Sequence, residues 1–305
     1  MGYLLRCAAR NGISIHRLLE LAGISDVRMI WAADTPRLAL TLGVPVSVLW
    51  PMFIERGRFQ DDVAHRIGGH MFARVGILRP SHPQICVTCI HHSGYCRAIW
   101  DCGVYTVCHI HRTALTDRCG SCGAVIRRYR PAVDVCACGA YFREDPAGTH
   151  VRDDAALQIA AMVAERFGEP VDAGDLANEA LPWRASLSVD GLCTLVRAFG
   201  VCVGAYQRVV SASLLRQRCE FWRAVCARAG ARFQQYSNLT ERESLAPFIW
   251  EAALDRMIWA PVASADHQVA SLLMQQIYGR HLGAGGRSKS KMLSQMKLFD
   301  GADYG

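Results

Sequence analysis

Two pairs of metal-binding side chains stand at short, regular spacing in the middle of the chain. Cys86 and Cys89 are separated by two residues, and so are Cys108 and His111. Two ligands on one tight turn can reach the same ion, and two such turns close a tetrahedron around Zn²⁺. The spacing therefore predicts a structural zinc site with three thiolates and one imidazole.

A second set of cysteines follows directly. Cys119 and Cys122 are again separated by two residues, and Gly123 allows the backbone to curl after the pair. Cys136 and Cys138 are separated by one residue, which is tighter than usual. We expect these four thiolates to hold a second ion, so the sequence predicts two structural Zn²⁺ ions as cofactors.

Other side chains nearby leave the ligand set open. Cys96 and Cys102 lie between the two halves of the first set, and His109 lies inside its second pair. The assigned set is preferred because it consists of pairs only, and His109 is the first substitute if one ligand is wrong. The other histidines of this region are His82, His91 and His92.

The zinc sites are not expected to be catalytic. A catalytic zinc keeps one coordination position open and has an acid or base beside it. Both sets already supply four ligands, and Asp101, Asp117 and Asp134 stand at no spacing typical of such a site.

A cysteine nucleophile is the other enzyme class considered, but free cysteine on an apolar helix usually behaves as a small hydrophobe. The cysteines in such stretches are Cys7, Cys193, Cys202, Cys219 and Cys226. We therefore predict that the chain is not an enzyme.

The composition is that of a globular protein. Hydrophobic residues make up 51% and charged residues 20% of the 305 residues, which excludes wholesale disorder and suits two or three domains. No secretory signal is visible, so the 14 cysteines favour metal binding over disulfides in a cytoplasmic protein. The longest uncharged run, residues 38–54, contains Gly43, Pro45 and Pro51, so no membrane-spanning helix is expected.

Arginine dominates the positive charge. The formal net charge is +7, but seven thiolate ligands and two Zn²⁺ ions would lower it to about +4, so local clusters matter more than the total. Two clusters are candidate nucleic-acid contacts, because arginine suits bidentate phosphate binding. Each could instead form a solvated face or pair with acids. The clusters are Arg127, Arg128 and Arg130, and then Arg208, Arg216, Arg218 and Arg223.

The elements that position these residues are expected to be mainly helices. Residues 1–80 form an N-terminal helical unit, 81–146 a loop-rich module with tandem zinc-ribbon-like knuckles, and 147–305 a helical domain with a basic tail. The fold class is therefore mainly α with small zinc-stabilised β or loop modules. Helices are expected to start at the caps Ser14, Thr35 and Ser188. Further helices are expected over residues 155–167, 214–229 and 268–278.

Within the N-terminal unit, the spacing of small and apolar residues suggests a helix-turn-helix. Ala39 is followed by Gly43 four residues later and then by Val48 or Leu49. The same pattern occurs in helical hairpins that never touch DNA. Four tryptophans are expected in the core: Trp50, Trp222, Trp250 and Trp259.

These motifs together resemble the TniQ/TnsD family of transposon targeting proteins. The likeness rests on Cys86-Val-Thr-Cys89, Tyr95-Cys-Arg97, Trp100, Val107-Cys108-His-Ile-His111, Cys119-Gly-Ser-Cys122-Gly123 and Cys136-Ala-Cys138-Gly139. Residues 3–19 also look like the first helices of the family. The chain departs from the pattern at Val87, His109 and Gly120, where the family often has proline.

The resemblance implies an adaptor in DNA transposition rather than a transposase. Members of the family connect target-site recognition to an AAA+ ATPase regulator, which recruits the transposase. Some bind DNA, and others sit on an RNA-guided effector complex, commonly as dimers. The implied partners are thus an AAA+ transposition regulator, target DNA or an RNA-guided complex, and a second copy of the chain, without a membrane. The alternative is a zinc-containing DNA-binding or protein-interaction protein unrelated to transposition.

Overall fold

The computed structural model describes residues 1–25, 30–60, 62–73, 77–79, 83–143, 151, 154–172, 174, 184–202, 218–238 and 242–279. Helices dominate this part of the chain, as the sequence predicts. Between the helices lie a three-stranded sheet, a two-stranded ribbon and a loop-rich region around the cysteine pairs.

The N-terminal region begins with four short helices. They are α1 (Gly2–Arg10), α2 (Ile15–Leu21), α3 (Thr35–Leu42) and α4 (Val46–Leu49). The predicted cap of α2 is confirmed, since the Ser14 hydroxyl accepts the backbone N–H of Arg17 at 3.1 Å. Thr35 is not the cap of α3 but its first residue. Its hydroxyl donates to the Ala32 carbonyl, and Gly43 ends the helix with φ at +65°.

The prediction of an N-terminal helical unit over residues 1–80 needs correction at residues 55–72, because an antiparallel sheet follows α4. Its strands, in the order β1-β2-β3, are β1 (Glu55–Phe59), β2 (Asp62–Ile67) and β3 (His70–Phe72). Gly57 pairs with Ala64, and His65 pairs with Phe72. Strand β1 is exposed at its three central positions and therefore shows no apolar alternation that sequence reading could detect.

The metal-binding region joins the N-terminal region to the C-terminal helices. It contains α5 (Val87–Ser93), β4 (Val107–Cys108) and β5 (Thr113–Ala114). The C-terminal helices are α6 (Asp154–Arg166), α7 (Val189–Gly200), α8 (Cys219–Ser237), α9 (Glu251–Trp259) and α10 (Ser264–Tyr278). The Ser188 hydroxyl caps α7 as predicted, accepting the N–H of Gly191 at 2.9 Å. The helix expected at 214–229 lies further along, from Cys219 to Ser237.

Helix α7 lies at the centre of the molecule. All of its residues are buried, and it packs against α8, α9 and β3. At its first turn the carboxylate of Asp190 accepts the backbone N–H of Ala73, just after β3. One continuous hydrophobic core runs from Leu4 in α1 to Ile277 in α10. The three predicted regions therefore share a core, and their boundaries stay predictions.

The burial of the tryptophans and cysteines only partly follows the sequence expectation. Trp222 is buried as predicted, whereas Trp50 and Trp259 are 38% and 55% exposed, which corrects their assignment to the core. Trp250 is half-buried. Cys193, Cys219 and Cys226 are buried in helices, and Cys7 is half-buried in α1. Cys202 is also buried, but it lies two residues after the end of α7, which corrects its assignment to a helix.

None of the helices in the described ranges has both the length and the apolar character needed to cross a membrane.

Candidate metal centres

The first four predicted ligands converge from a helix start and a β-ribbon. Cys86 caps α5, where its Sγ accepts the backbone N–H of Cys89 at 3.4 Å, so both thiols lie at the same helix end. Cys108 ends β4, and the turn that leads into β5 returns His111 to the same place. Backbone geometry alone therefore brings the two pairs together.

The spacing of these four groups fits a tetrahedral ion. The His111 Nδ1 atom lies 3.6, 3.2 and 3.5 Å from the Sγ atoms of Cys86, Cys89 and Cys108. The Sγ atoms of Cys89 and Cys108 are 3.6 Å apart. Zinc bonds of about 2.3 Å to sulfur and 2.0 Å to nitrogen give tetrahedral edges of about 3.5 Å between nitrogen and sulfur and about 3.8 Å between two sulfurs. The site can therefore hold one Zn²⁺ without rearrangement.

The electrostatics of the first site also favour a cation. The Cys108 and Cys89 thiols donate to Cys86 and hold the pKa of its thiol far below the usual range. The same neighbours, Cys108 first and then Cys86, raise the pKa of the Cys89 thiol far above it. Three buried thiols so close together cannot all ionise unless a cation neutralises them.

The second set is held by two turns closer to the surface. Cys119 lies 4.0 Å from Cys138, and Cys122 lies 4.0 Å from Cys136, measured between Sγ atoms. The N–H of Cys119 donates to the Ala124 carbonyl, which closes the first turn. Cys119 and Cys136 are buried, whereas Cys122 and Cys138 are exposed. All four ligand atoms lie within 4.8 Å of one another, so this cluster can also hold a metal ion.

The thiols of the second site differ in pKa. Burial raises the pKa of Cys119, but the backbone N–H groups of Cys122 and Ser121 outweigh this and hold it at about 6. Burial raises the pKa of Cys136 to about 12. Of Cys119 and Cys136, Cys119 is thus the thiol that is ready to bind a cation at neutral pH.

The alternative ligands lie elsewhere. The Nδ1 atom of His109 is 2.7 Å from the Tyr105 hydroxyl, and the Sγ of Cys102 lies 3.4 Å from that of Cys193. Cys96 lies 3.4 Å from the guanidinium of Arg130. His91 contacts the Phe142 carbonyl, and His82 lies outside the described residues. The geometry therefore favours the paired ligand sets.

The first arginine cluster is only partly free to bind nucleic acid. Arg128 pairs with Asp101 at 2.6 Å. Arg130 is buried, and its guanidinium donates to the carbonyls of Val133 and Arg127. Arg127 itself is exposed. Sequence reading treats the three alike, because burial separates them only in the folded chain.

The second cluster is likewise divided. Arg218 is exposed just before α8, and Arg223 donates to the Leu115 carbonyl at 3.3 Å. Arg208 and Arg216 lie outside the described residues. Arg127 and Arg218 are thus the exposed members that the structure describes.

A buried ion pair near the second cysteine cluster has no local signal in the sequence. The Arg79 guanidinium donates to the Asp117 carboxylate at 2.7 Å, and this carboxylate also accepts the N–H of Cys219 at 2.9 Å. Arg79 is 1% exposed. Sequence separations of 38 and 102 residues leave no local pattern that could have revealed these contacts.

The fold and the two clusters define a helical protein whose loop-rich centre can be held by two metal ions. A family model for TniQ matches residues 1–115, a range that includes the complete first metal site. The chain therefore carries a TniQ domain, and the family resemblance of its sequence is confirmed for these residues. No curated protein matches the chain.

Proposed function

We propose that the chain is a non-catalytic TniQ-type adaptor in DNA transposition. It links a target, either a DNA site or an RNA-guided complex, to an AAA+ transposition regulator. The observation that carries this proposal is the TniQ match over residues 1–115. The domain it defines shares one hydrophobic core with the C-terminal helices.

The two clusters serve structure in this proposal. Cys86, Cys89, Cys108 and His111 would hold one Zn²⁺, and Cys119, Cys122, Cys136 and Cys138 a second. When bound, each ion supplies four ligand bonds to a segment with little regular secondary structure. The ligands would fix α5 against the β4–β5 ribbon, and they would hold the two turns between which Arg127, Arg128 and Arg130 lie.

The adaptor role is tested by reconstitution. The chain, the AAA+ regulator of the same transposon, ATP and an immobilised target are combined, and the regulator retained on the target is measured. We expect retention to require the chain and to be lost with Cys86→Ser. Cys7→Ser, a thiol outside both clusters, is the matched control. Retention that is equal with and without the chain contradicts the adaptor role and leaves a zinc-containing interaction protein.

Direct DNA contact is proposed at Arg127 and Arg218, with Arg208 and Arg216 as further candidates outside the described residues. Each phosphate contact contributes about one unit to the slope of log affinity against log salt. The double variant Arg127→Ala/Arg218→Ala should therefore flatten the slope measured in gel-shift titrations. Arg10→Ala/Arg143→Ala, which removes two other exposed arginines, is the control. An unchanged slope removes the pair from the proposed interface.

Dimerisation, which the resemblance implies, is a further part of the proposal. Native mass spectrometry at low salt measures it directly, because the mass of the intact assembly gives both the copy number and the bound metal.

A further inference from the structure

The region of α3 and α4 exposes an unusual amount of apolar surface. We call its exposed side chains the α3–α4 patch: Leu40, Val46, Val48, Trp50 and Met52. Leu40 is 87% exposed, more than any other large apolar side chain that the structure describes. Single exposed hydrophobic residues are normal, but a contiguous group indicates an interaction surface.

This surface is poorly suited to DNA. Residues 38–54 carry no charged side chain, although the chain as a whole has a formal charge of +7. Helix α4, which stands where a recognition helix would, has only the four residues Val46–Leu49 and is about 6 Å long. Affinity for DNA depends on cations placed against phosphates. Helix α4 supplies none, and the exposed Arg37 of α3 already donates to the Gly23 carbonyl at 3.1 Å. The patch therefore suits a protein better than a nucleic acid.

Positive charge follows the patch closely along the chain. Arg56 and Arg58 follow Met52 closely and lie exposed on one face of β1. Their cross-strand partners on that face are His65 and Val63, which carry no carboxylate. Glu55 points to the opposite face, where it pairs with Arg66 at 3.6 Å. The two arginines thus lie within six residues of Met52 in the sequence and have no acid at their paired positions.

We propose that the α3–α4 patch docks a segment of a partner protein that has an apolar stripe bordered by aspartate or glutamate. The stripe packs on Leu40, Val48 and Trp50, and the acids pair with Arg56 and Arg58. Amphipathic segments dock on apolar surfaces in this way, and complementary charge at the rim sets orientation and specificity. The inference goes beyond the proposed function, because it assigns a surface and a partner chemistry that do not depend on the transposition role.

A displayed library of random helical peptides tests this docking surface. The library is selected on the intact zinc-loaded chain, and recovered peptides are measured for affinity by fluorescence anisotropy. We expect enrichment of peptides with an apolar stripe and flanking Asp or Glu. Their binding should weaken about tenfold or more with Leu40→Ser/Val48→Ser and also with Arg56→Ala/Arg58→Ala, as for truncation of interface hot spots.

Matched variants separate the patch from the rest of the surface. Trp259→Ser/Leu272→Ser removes two exposed apolar side chains elsewhere, and Arg10→Ala/Arg143→Ala removes two other exposed arginines. Both should bind the peptides as the wild type does. Circular dichroism and zinc content confirm that each variant is folded.

Three outcomes would overturn the proposal. The first is a selection that enriches no acidic amphipathic sequence, and the second is equal binding by Leu40→Ser/Val48→Ser. The third is loss of binding to a DNA duplex, but not to the peptides, with Arg56→Ala/Arg58→Ala, which would assign the arginines to nucleic acid. None of these results depends on the AAA+ regulator, so failure here and failure of the adaptor role are distinguishable.

Discussion

Asp117 is the residue at which three parts of the chain meet. Its carboxylate accepts hydrogen bonds from Arg79, near the end of the N-terminal region, and from the backbone of Cys219, where α8 begins. It lies two residues before the predicted metal ligand Cys119. Because Arg79 is buried, this carboxylate, rather than bulk water, balances its charge.

Replacing Asp117 should be severely destabilising. We expect Asp117→Asn to lower the free energy of unfolding by about 3–5 kcal/mol, because it removes a carboxylate charge that pairs with a buried guanidinium. Urea unfolding, with zinc content measured in parallel, gives this value. Glu20→Gln is the control, since the Arg17–Glu20 pair is mostly exposed and such pairs contribute at most about 1 kcal/mol. Equal losses of unfolding free energy in the two variants would contradict a larger contribution from the buried Arg79–Asp117 pair than from the exposed pair.

His65 should make stability depend on pH. Burial, assisted by the charge of Arg56, lowers the pKa of its imidazole below the ordinary 6.5, so the folded chain keeps it neutral. The unfolded chain takes up the proton at higher pH, so stability falls as the pH drops below about 6.5. We expect His65→Gln to lose less unfolding free energy than the wild type between about pH 7 and pH 5.5.

Urea titrations at the two pH values measure this difference, and both proteins keep the same metal ligands. The exposed His16 provides the control variant, His16→Gln, which should behave as the wild type. A pH dependence that is identical in all three proteins would rule out a contribution from His65.

At the scale of elements, α8 is positioned by two close approaches. A Cβ added at Gly200, the last residue of α7, would overlap the Val225 carbonyl of α8. A Cβ added at Gly230 of α8 would overlap the Cβ of Ala155 in α6. Glycine therefore stands in these helices because the neighbouring helix occupies the space of a side chain, although glycine lowers helix propensity.

The variant Gly230→Ala should be destabilised by about 1–3 kcal/mol through overpacking, even though alanine favours the helix by about 1 kcal/mol. Thermal or urea unfolding measures the change. The double variant Gly230→Ala/Ala155→Gly removes the opposing methyl group and should recover part of the loss. If Gly230→Ala were instead more stable than the wild type, α6 and α8 would not approach as closely as the structure shows.

At the scale of the whole molecule, the two metal clusters differ in depth. The first is built from three buried thiols and a half-buried imidazole, and several of its residues belong to the continuous core. The second has two exposed thiols. A chelator can therefore reach the second site in the folded chain, whereas access to the first requires the surrounding core to open.

Native mass spectrometry should detect two zinc ions per chain, and a chelator should remove them in two phases. We expect the fast phase to disappear in Cys138→Ser, which loses the accessible site, while the slow phase and most helical content remain. Cys7→Ser should keep both phases. A single phase in the wild type, or loss of the slow phase in Cys138→Ser, would contradict the separation of the two sites.

Features that depend on neighbouring residues could be predicted before the fold was known. The eight predicted ligands and the positions of most helices follow from spacings of one to four residues, and the caps follow from the serine side chains at Ser14 and Ser188. The structure brings the eight ligand side chains together in the predicted sets. The family resemblance also rested on these local motifs and is confirmed for residues 1–115.

Features that depend on contacts between distant residues are visible only in the tertiary structure. It placed a sheet at residues 55–72, buried Arg130, exposed Trp50 and joined Arg79 to Asp117. In each case the outcome depends on which surfaces meet when the chain folds, since burial and pairing are properties of contacts between segments far apart in sequence. Residue type alone could not distinguish an arginine that faces solvent from one whose charge is already used within the protein.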